Sequence, residues 1–175
     1  PLLASLSFVE GSASGQVESL LYTFVVDLRV PELWPVLQKI LQLPLMFAAH
    51  SGKHELFCLW QLGLQEPRQI WDTFIHEKAL KLGRDYHRYR TAKSRNELDE
   101  IKAKSESLRE EEFGCSLIQT CLRHGIHYEM EGAKDRLQES FLKHPEEAPF
   151  SEEQIRYAAE DAIAVARLYP LQVLQ

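Results

Sequence analysis

The chain has 175 residues, of which 45% are hydrophobic and 26% are charged. This length and composition suit one globular domain, residues 1–175, and argue against a disordered or fibrous protein. No apolar run approaches the ~20 residues that span a bilayer, so no membrane partner is predicted. Cys58, Cys115 and Cys121 form no C-x-x-C pair, which predicts reduced thiols in an intracellular, cytoplasmic protein rather than disulfides or structural zinc.

The formal net charge of −6 excludes a surface that is electropositive throughout, as duplex-DNA binders commonly have. Acidic sites that hold metal ions remain compatible with this charge. Between Lys78 and Arg95, seven Lys or Arg residues accompany one Asp. This stretch is either a contact for a phosphate backbone or a solvated helix end.

The first half of the chain predicts an α/β fold with a mixed β-sheet flanked by helices. Leu20 to Val26 is a nearly continuous run of β-forming residues, as expected for a strand covered on both faces. Asp72 is placed to cap a helix, and Gly63 and Gly83 to end helices. The predicted elements are strands at 2–9, 20–28, 44–50 and 69–71, and helices at 31–42, 53–62 and 73–82.

The second half predicts helices separated by polar connections. Residues 87–112 are highly charged and indicate an exposed insertion. Helices are predicted at 115–124, where Gly125 ends the helix, and at 134–144. Residues 145–149 form a linker to the last helix.

The last helix, residues 151–169, has the clearest sequence signals. Ser151 and Gln154 predict a capping box, and Pro170 is expected to end or kink the helix. An apolar stripe of mostly small residues should pack against another element: Ile155, Ala158, Ala159, Ala162, Val165, Ala166 and Tyr169. Tyr157 and Asp161 are four residues apart, so a phenol and a carboxylate share a neighbouring face.

Tyr157-x-x-x-Asp161, within Gln-Ile-x-Tyr-Ala-Ala-x-Asp-Ala, resembles the third motif of the DnaQ-like (RNase D-like) 3′-5′ exonucleases. It is most similar to the proofreading-type domain of family A DNA polymerases, which acts in DNA replication. The resemblance implies an RNase H-like fold, with Asp161 binding a catalytic divalent metal and Tyr157 positioning the attacking water. The alternative is an amphipathic helix with one solvated Asp.

Further stretches extend the resemblance from about residue 20 to 169. His50-Ser-Gly-Lys-His-Glu55 resembles the second motif, with Ser51 where the family has Asn and Glu55 where it has Asp. The resemblance implies that Glu55 and Asp161 hold Mg²⁺ or Mn²⁺, although Glu55 also suits the first turn of a helix. Lys134-x-x-Leu-Gln-x-Ser-Phe resembles the segment before the third motif, and Lys134 is expected to contact nucleic acid together with His50 and Ser51. The step Asp72-Thr also has a counterpart in the family, where the Asp is structural rather than catalytic.

The first motif of the family, an Asp-x-Glu that holds both metal ions, is absent. The chain has six Asp residues, and none is followed two positions later by Glu. Residues 2–9 and 20–28 resemble the family's second and third strands, so its first strand either lies upstream of Pro1 or has been lost. Catalysis is therefore expected to be impaired.

Three functions fit this pattern. The first is a proofreading-type 3′-5′ exonuclease domain that hydrolyses the terminal phosphodiester of single-stranded DNA with two Mg²⁺ or Mn²⁺ ions, with a polymerase domain in the same polypeptide. The second is an inactive exonuclease-fold module that binds single strands or braces a polymerase. The third is an RNase D-like ribonuclease.

Overall fold

The computed structural model describes residues 3–10, 20–91, 94–96, 99, 114–129 and 131–174. Most of the predicted insertion at 87–112 lies outside these residues. The described strands are β1 (Leu3–Glu10), β2 (Leu20–Asp27), β3 (Phe47–Ala49) and β4 (Ile70–Asp72). The described helices are α1 (Trp34–Leu41), α2 (Lys53–Gln61), α3 (Thr73–Thr91), α4 (Leu117–Arg123), α5 (Lys134–Leu142) and α6 (Glu152–Val173).

The α/β class is confirmed, and each predicted strand and helix has a counterpart among these elements. Short 3-10 turns at Pro31–Leu33 and Glu131–Ala133 lead into α1 and α5. No helix within the described residues is both long enough and apolar enough to cross a bilayer.

The strands do not form the single mixed sheet that the sequence predicts. Within the described residues, β1 pairs with β2 in an antiparallel hairpin, with Leu3 opposite Asp27 and Glu10 opposite Leu20. β3 pairs with β4 in a separate parallel sheet, with Phe47 opposite Ile70. The four described strands thus form two separate two-stranded sheets, which are the β1–β2 half and the β3–β4 half of the predicted sheet.

Helices pack on two sides of each two-stranded half. α6 contacts β1, β2 and β3, and also α3, α4 and α5. A second apolar cluster, built on Leu37 and Leu41 of α1, packs against Ala4 and Leu6 of the hairpin and against Phe47 of β3. The next residue of β3, Ala48, packs against the cluster around α6. Because neighbouring strand residues point to opposite faces, α1 and α6 enclose the strands between them.

The start of α6 is confirmed as a capping box. Ser151 Oγ accepts from the Gln154 N–H at 3.2 Å, and Gln154 Oε1 accepts from the Ser151 N–H at 3.0 Å. The predicted apolar stripe is only partly correct, because Ile155 is 41% exposed. The buried positions of α6 are instead Gln154, Tyr157, Glu160, Ala164, Val165, Leu168 and Gln172.

The predicted end of the third helix at Gly83 is wrong, and Pro170 does not end the last helix. α3 continues through Gly83 to Thr91, although glycine inside a helix costs about 1 kcal/mol relative to alanine. α6 continues through Pro170 to Val173. In α6 the reason is tertiary, because Gln172 in the last turn is buried and hydrogen-bonded to neighbouring elements.

A buried carboxylate ties α3, α4 and α6 together. Glu77 is 2% exposed and accepts hydrogen bonds from His124 Nε2 at 2.6 Å, from Arg123 Nη2 at 3.0 Å and from Gln172 Nε2 at 3.0 Å. Gln172 Oε1 in turn accepts from Trp71 Nε1 at 3.0 Å. Burial raises the pKa of Glu77, but the bonds from His124, Gln172 and Arg123 together outweigh burial and lower it.

We predict that Glu77→Ala lowers the free energy of unfolding at pH 7 by about 2–4 kcal/mol, because it removes the buried acceptor that His124, Arg123 and Gln172 share. Glu147→Ala, at an exposed position, serves as the control and should change stability by less than ~0.5 kcal/mol. Urea titrations of both variants measure these values. Similar losses in the two variants would contradict the role of this network.

The same carboxylate predicts a pH dependence. Since the pKa of Glu77 is lowered on folding, its ionised form stabilises the protein above its ordinary pKa of 4.5, and this contribution is lost as pH falls through the lower folded-state value. The stability difference between the unmodified chain and Glu77→Gln should therefore shrink in acid. Urea titrations from pH 7 to pH 3 test this, and a constant difference would contradict it.

Candidate functional site

The candidate site lies where the parallel strands β3 and β4 end. His50 and Ser51 follow β3 directly, and Asp72 is the last residue of β4. Functional side chains of open α/β sheets commonly lie at the carboxyl ends of the strands. Asp161 belongs to α6, which contacts β3.

Asp72 organises this edge through backbone hydrogen bonds. Its Oδ1 accepts from the N–H groups of Ser51 at 3.1 Å, Phe74 at 3.0 Å and Ile75 at 3.2 Å, and its Oδ2 accepts from Gly52 at 2.9 Å. The predicted cap of α3 is thus confirmed. The same carboxylate also holds the turn before α2, where Ser51 has a positive φ of 66°.

Both ring nitrogens of His50 lie within hydrogen-bond distance of an oxygen atom. Nε2 lies 2.8 Å from the carbonyl oxygen of Cys115, which can only accept, so Nε2 carries a hydrogen. Nδ1 lies 2.9 Å from the Thr73 hydroxyl, and that hydroxyl lies 3.0 Å from the Ala49 carbonyl oxygen. The imidazole therefore links β3 to α3 and to the segment before α4, while the neighbouring Ser51 is exposed.

Asp161 faces a buried phenol that the sequence did not assign to the site. The Tyr128 hydroxyl donates to Asp161 Oδ1 at 2.5 Å, and Tyr128 is 3% exposed. Burial, followed by the hydrogen bond to Asp161, raises the pKa of Tyr128. Burial also raises the pKa of the Cys121 thiol to about 11, with further contributions from Asp161 and Glu160. Burial and the nearby Asp161 carboxylate thus both favour the protonated forms of the Tyr128 phenol and the Cys121 thiol.

Tyr157 lies in the apolar cluster on the same helix. It is 6% exposed, and its hydroxyl accepts from Gln138 Nε2 at 3.3 Å. Its ring packs against Phe141 with a centroid separation of 6.2 Å. Gln138 and Phe141 belong to the segment of α5 that resembles the region before the third motif.

Glu55 lies in the first turn of α2 and is exposed along part of its side chain. Partial desolvation is the main cause that raises the pKa of this carboxyl, and the charges of Asp72 and Asp161 raise it further. The backbone N–H of Glu55 and the charge of His54 act in the opposite direction. Asp161 makes the smallest of these contributions to the pKa of Glu55.

Glu55 and Asp161 are the side chains here that could hold a divalent cation, because the oxygens of Asp72 already accept four backbone hydrogen bonds. Among the described residues, no group of three or more His, Cys, Asp or Glu side chains is arranged to hold a metal ion. The residues present do not fit a site for two ions.

The remaining predicted contacts for nucleic acid are only partly described. Lys134 begins α5, but its side chain lies outside the described part of the structure. In the basic stretch 78–95, the side chains of residues 84–93 also lie outside it. Lys78 Nζ lies over the ring of Phe74, 4.4 Å from its centroid.

Comparisons with family models, with curated proteins and with solved structures found no match to this chain. The sequence motifs and the geometry of the site are therefore the basis for assigning a function.

We predict that Tyr128→Phe lowers the free energy of unfolding by about 1.5–3 kcal/mol, because the Asp161 carboxylate loses a buried donor while the ring packing is retained. Tyr22→Phe is the matched control, since Tyr22 is 51% exposed on β2. It should change stability by less than ~0.5 kcal/mol. Thermal or urea unfolding measures both effects, and equal values for the two variants would contradict the importance of this hydrogen bond.

Proposed function

We propose that this chain is a 3′-5′ exonuclease domain of the proofreading type found in family A DNA polymerases, with an incomplete catalytic centre. Its substrate would be the 3′ end of single-stranded DNA. The observation that carries the proposal is the position of Asp161, the third-motif carboxylate, which accepts the buried Tyr128 hydroxyl at 2.5 Å on the helix that contacts β3. An amphipathic helix with one solvated Asp would give no reason for this carboxylate to accept a hydrogen bond from a buried phenol.

The division of the sheet supports the RNase H-like fold with its first strand missing. β1 and β2 are the strands whose sequences resemble the second and third strands of the family. They form a hairpin separate from β3 and β4, although the same helices cover both halves. A fold that lacks one internal strand would be divided in this way.

The proposed roles follow from the positions of the side chains. Glu55 and Asp161 would hold a divalent cation, which when bound lowers the pKa of a water and stabilises charge on the leaving oxygen. Tyr157 would orient the attacking water through its hydroxyl, which Gln138 positions at 3.3 Å. Tyr128 would fix the orientation of the Asp161 carboxylate through its 2.5 Å hydrogen bond. Ser51, His50 and Lys134 would contact the nucleic acid.

A second candidate is an inactive module that binds single strands or braces a polymerase. The observation that favours it is that, among the described residues, no group of three or more His, Cys, Asp or Glu side chains is arranged to hold a metal ion. The RNase D-like ribonuclease is a third candidate, which differs from the first in preferring RNA.

We predict that this chain binds a single-stranded DNA with a free 3′ end more tightly in Mn²⁺ than in EDTA, while degrading it slowly or not at all. Asp161→Ala and Glu55→Gln should each reduce the Mn²⁺-dependent part of binding at least ~10-fold, because the first removes a ligand and the second removes the negative charge of one. Fluorescence anisotropy with 3′-labelled DNA and RNA, and gel assays of degradation, measure binding and cleavage.

Glu147→Ala is the matched control, because it removes an exposed carboxylate and should leave binding unchanged. Robust metal-dependent degradation that persists in Asp161→Ala would contradict the proposed site. Binding that is the same with Mn²⁺ and with EDTA would contradict the proposed cation. Faster degradation of RNA than of DNA would favour the ribonuclease.

A further inference from the structure

The outer side of α2 carries two aromatic side chains that are open to solvent. Phe57 is 54% exposed and Trp60 is 56% exposed. The inner side of the same helix buries Cys58 and packs Leu59 against the apolar cluster of α1. Because Phe57 and Trp60 are three residues apart, their rings lie on neighbouring turns of one face of the helix.

The polar atom of Trp60 already has a partner. Its indole Nε1–H donates to Glu66 Oε2 at 2.7 Å, so the solvent exposure of Trp60 is mainly exposure of its ring. This bond also restricts the orientation of the indole. Trp71, in contrast, packs its ring against His76 and Tyr169. Trp60 therefore offers an oriented aromatic surface that no neighbouring ring of the described residues uses.

The remaining exposed residues of α2 are polar, namely Lys53, His54, Glu55 and Gln61. Lys53 precedes Phe57 by four residues and lies on the same face of the helix. Among the described residues, no carboxylate lies within ion-pair distance of Lys53. Glu55 follows Lys53 by two residues, a rotation of about 200°, which directs its carboxylate away from this face. The face thus combines a cation with two aromatic rings and includes no aliphatic side chain.

This combination favours one class of partner. The bases of a single-stranded nucleic acid stack on aromatic side chains whatever their sequence, and Lys pairs with the phosphates between them. Lys is depleted at the centres of protein interfaces, so a cation beside the two rings fits a protein partner less well. A duplex would not use the rings, because its bases are stacked on one another.

The position of the face connects it to the candidate site. Ser51, which is exposed and expected to contact nucleic acid, lies two residues before Lys53, the first residue of α2. From Lys53 to Trp60 the helix rises about 10 Å, roughly the length of three stacked nucleotides. A strand whose 3′ end lies at the site would therefore reach both rings with its preceding nucleotides.

We propose that Lys53, Phe57 and Trp60, which we call the α2 face, form a binding surface for single-stranded nucleic acid. Bases stack on the two rings, and Lys53 pairs with a phosphate. This inference rests on the proposed function for its substrate, and it adds a surface for the nucleotides that precede the 3′ end. Binding to the α2 face needs no metal ion, because neither stacking nor the Lys53 ammonium uses one.

Two labelled strands test the α2 face with the complete chain in EDTA. One is a twelve-nucleotide oligothymidylate, and the other has the same backbone without bases. Phe57→Leu and Trp60→Leu each retain an apolar side chain but remove the ring, and each should weaken binding of the oligothymidylate at least ~5-fold by fluorescence anisotropy. The abasic strand should bind weakly, and equally to the unmodified chain and to both variants.

Phe24→Leu is the matched control, because Phe24 is a similarly exposed aromatic residue on β2 and should not affect binding. The α2 face is refuted if the Phe57 and Trp60 variants bind the oligothymidylate as tightly as the unmodified chain, or if Phe24→Leu weakens binding equally. It is also refuted if the abasic strand binds as tightly as the oligothymidylate. Sedimentation velocity addresses the other class of partner. Self-association that Phe57→Ser abolishes, with DNA binding unchanged, would assign the face to a protein and overturn the proposal.

The effect of Mn²⁺ separates this inference from the proposed function. Binding in EDTA reports on the α2 face, and the increase in binding that Mn²⁺ produces reports on the proposed cation. If the leucine variants weaken binding in EDTA and Mn²⁺ adds nothing, the α2 face is correct and the metal-dependent function is wrong. If Mn²⁺ increases binding and the leucine variants have no effect, the α2 face is wrong and the proposed function stands.

Discussion

The position of α6 depends on the buried contact between Gln172 and Glu77. Gln172 is 1% exposed, and its amide bonds to the Thr73 carbonyl oxygen, to Glu77 and to the Trp71 indole. These bonds attach the last turn of α6 to β4 and to the start of α3. Because α6 also carries Tyr157 and Asp161, the same contacts set where the candidate site lies relative to the ends of β3 and β4.

The negative charges of the three carboxylates at this site are stabilised by different groups. Asp72 accepts four backbone N–H bonds, Asp161 accepts the Tyr128 hydroxyl, and Glu55 stays partly in solvent. Burial is the main cause that raises the pKa of Glu55, and the charges of Asp72 and Asp161 raise it further. Under the proposed function, a cation held by Glu55 and Asp161 would reduce the negative charge at this edge, which matters for phosphate binding by a chain whose net charge is −6.

Local sequence signals predicted the helices and strands well, because caps and turns depend on interactions between neighbouring residues alone. The caps at Ser151 and Asp72 and the positive-φ glycines at Gly63 and Gly125 are set by hydrogen bonds within a few residues. The predictions failed where tertiary contacts decide the outcome. α6 continues past Pro170 because its last turn is anchored by distant residues, and the hydrogen bond between Tyr128 and Asp161 joins elements that no local pattern connects.

Two independent observations bear on the proposed function. Within the part of the chain that the structure describes, β1 pairs with β2 and β3 pairs with β4 in separate sheets, and no group of three or more His, Cys, Asp or Glu side chains is arranged to hold a metal ion. The first observation concerns backbone pairing and the second concerns side-chain chemistry, so neither implies the other. The proposed function accounts for both, because the motif that the sequence lacks, an Asp-x-Glu, lies on a strand in the family that the chain resembles.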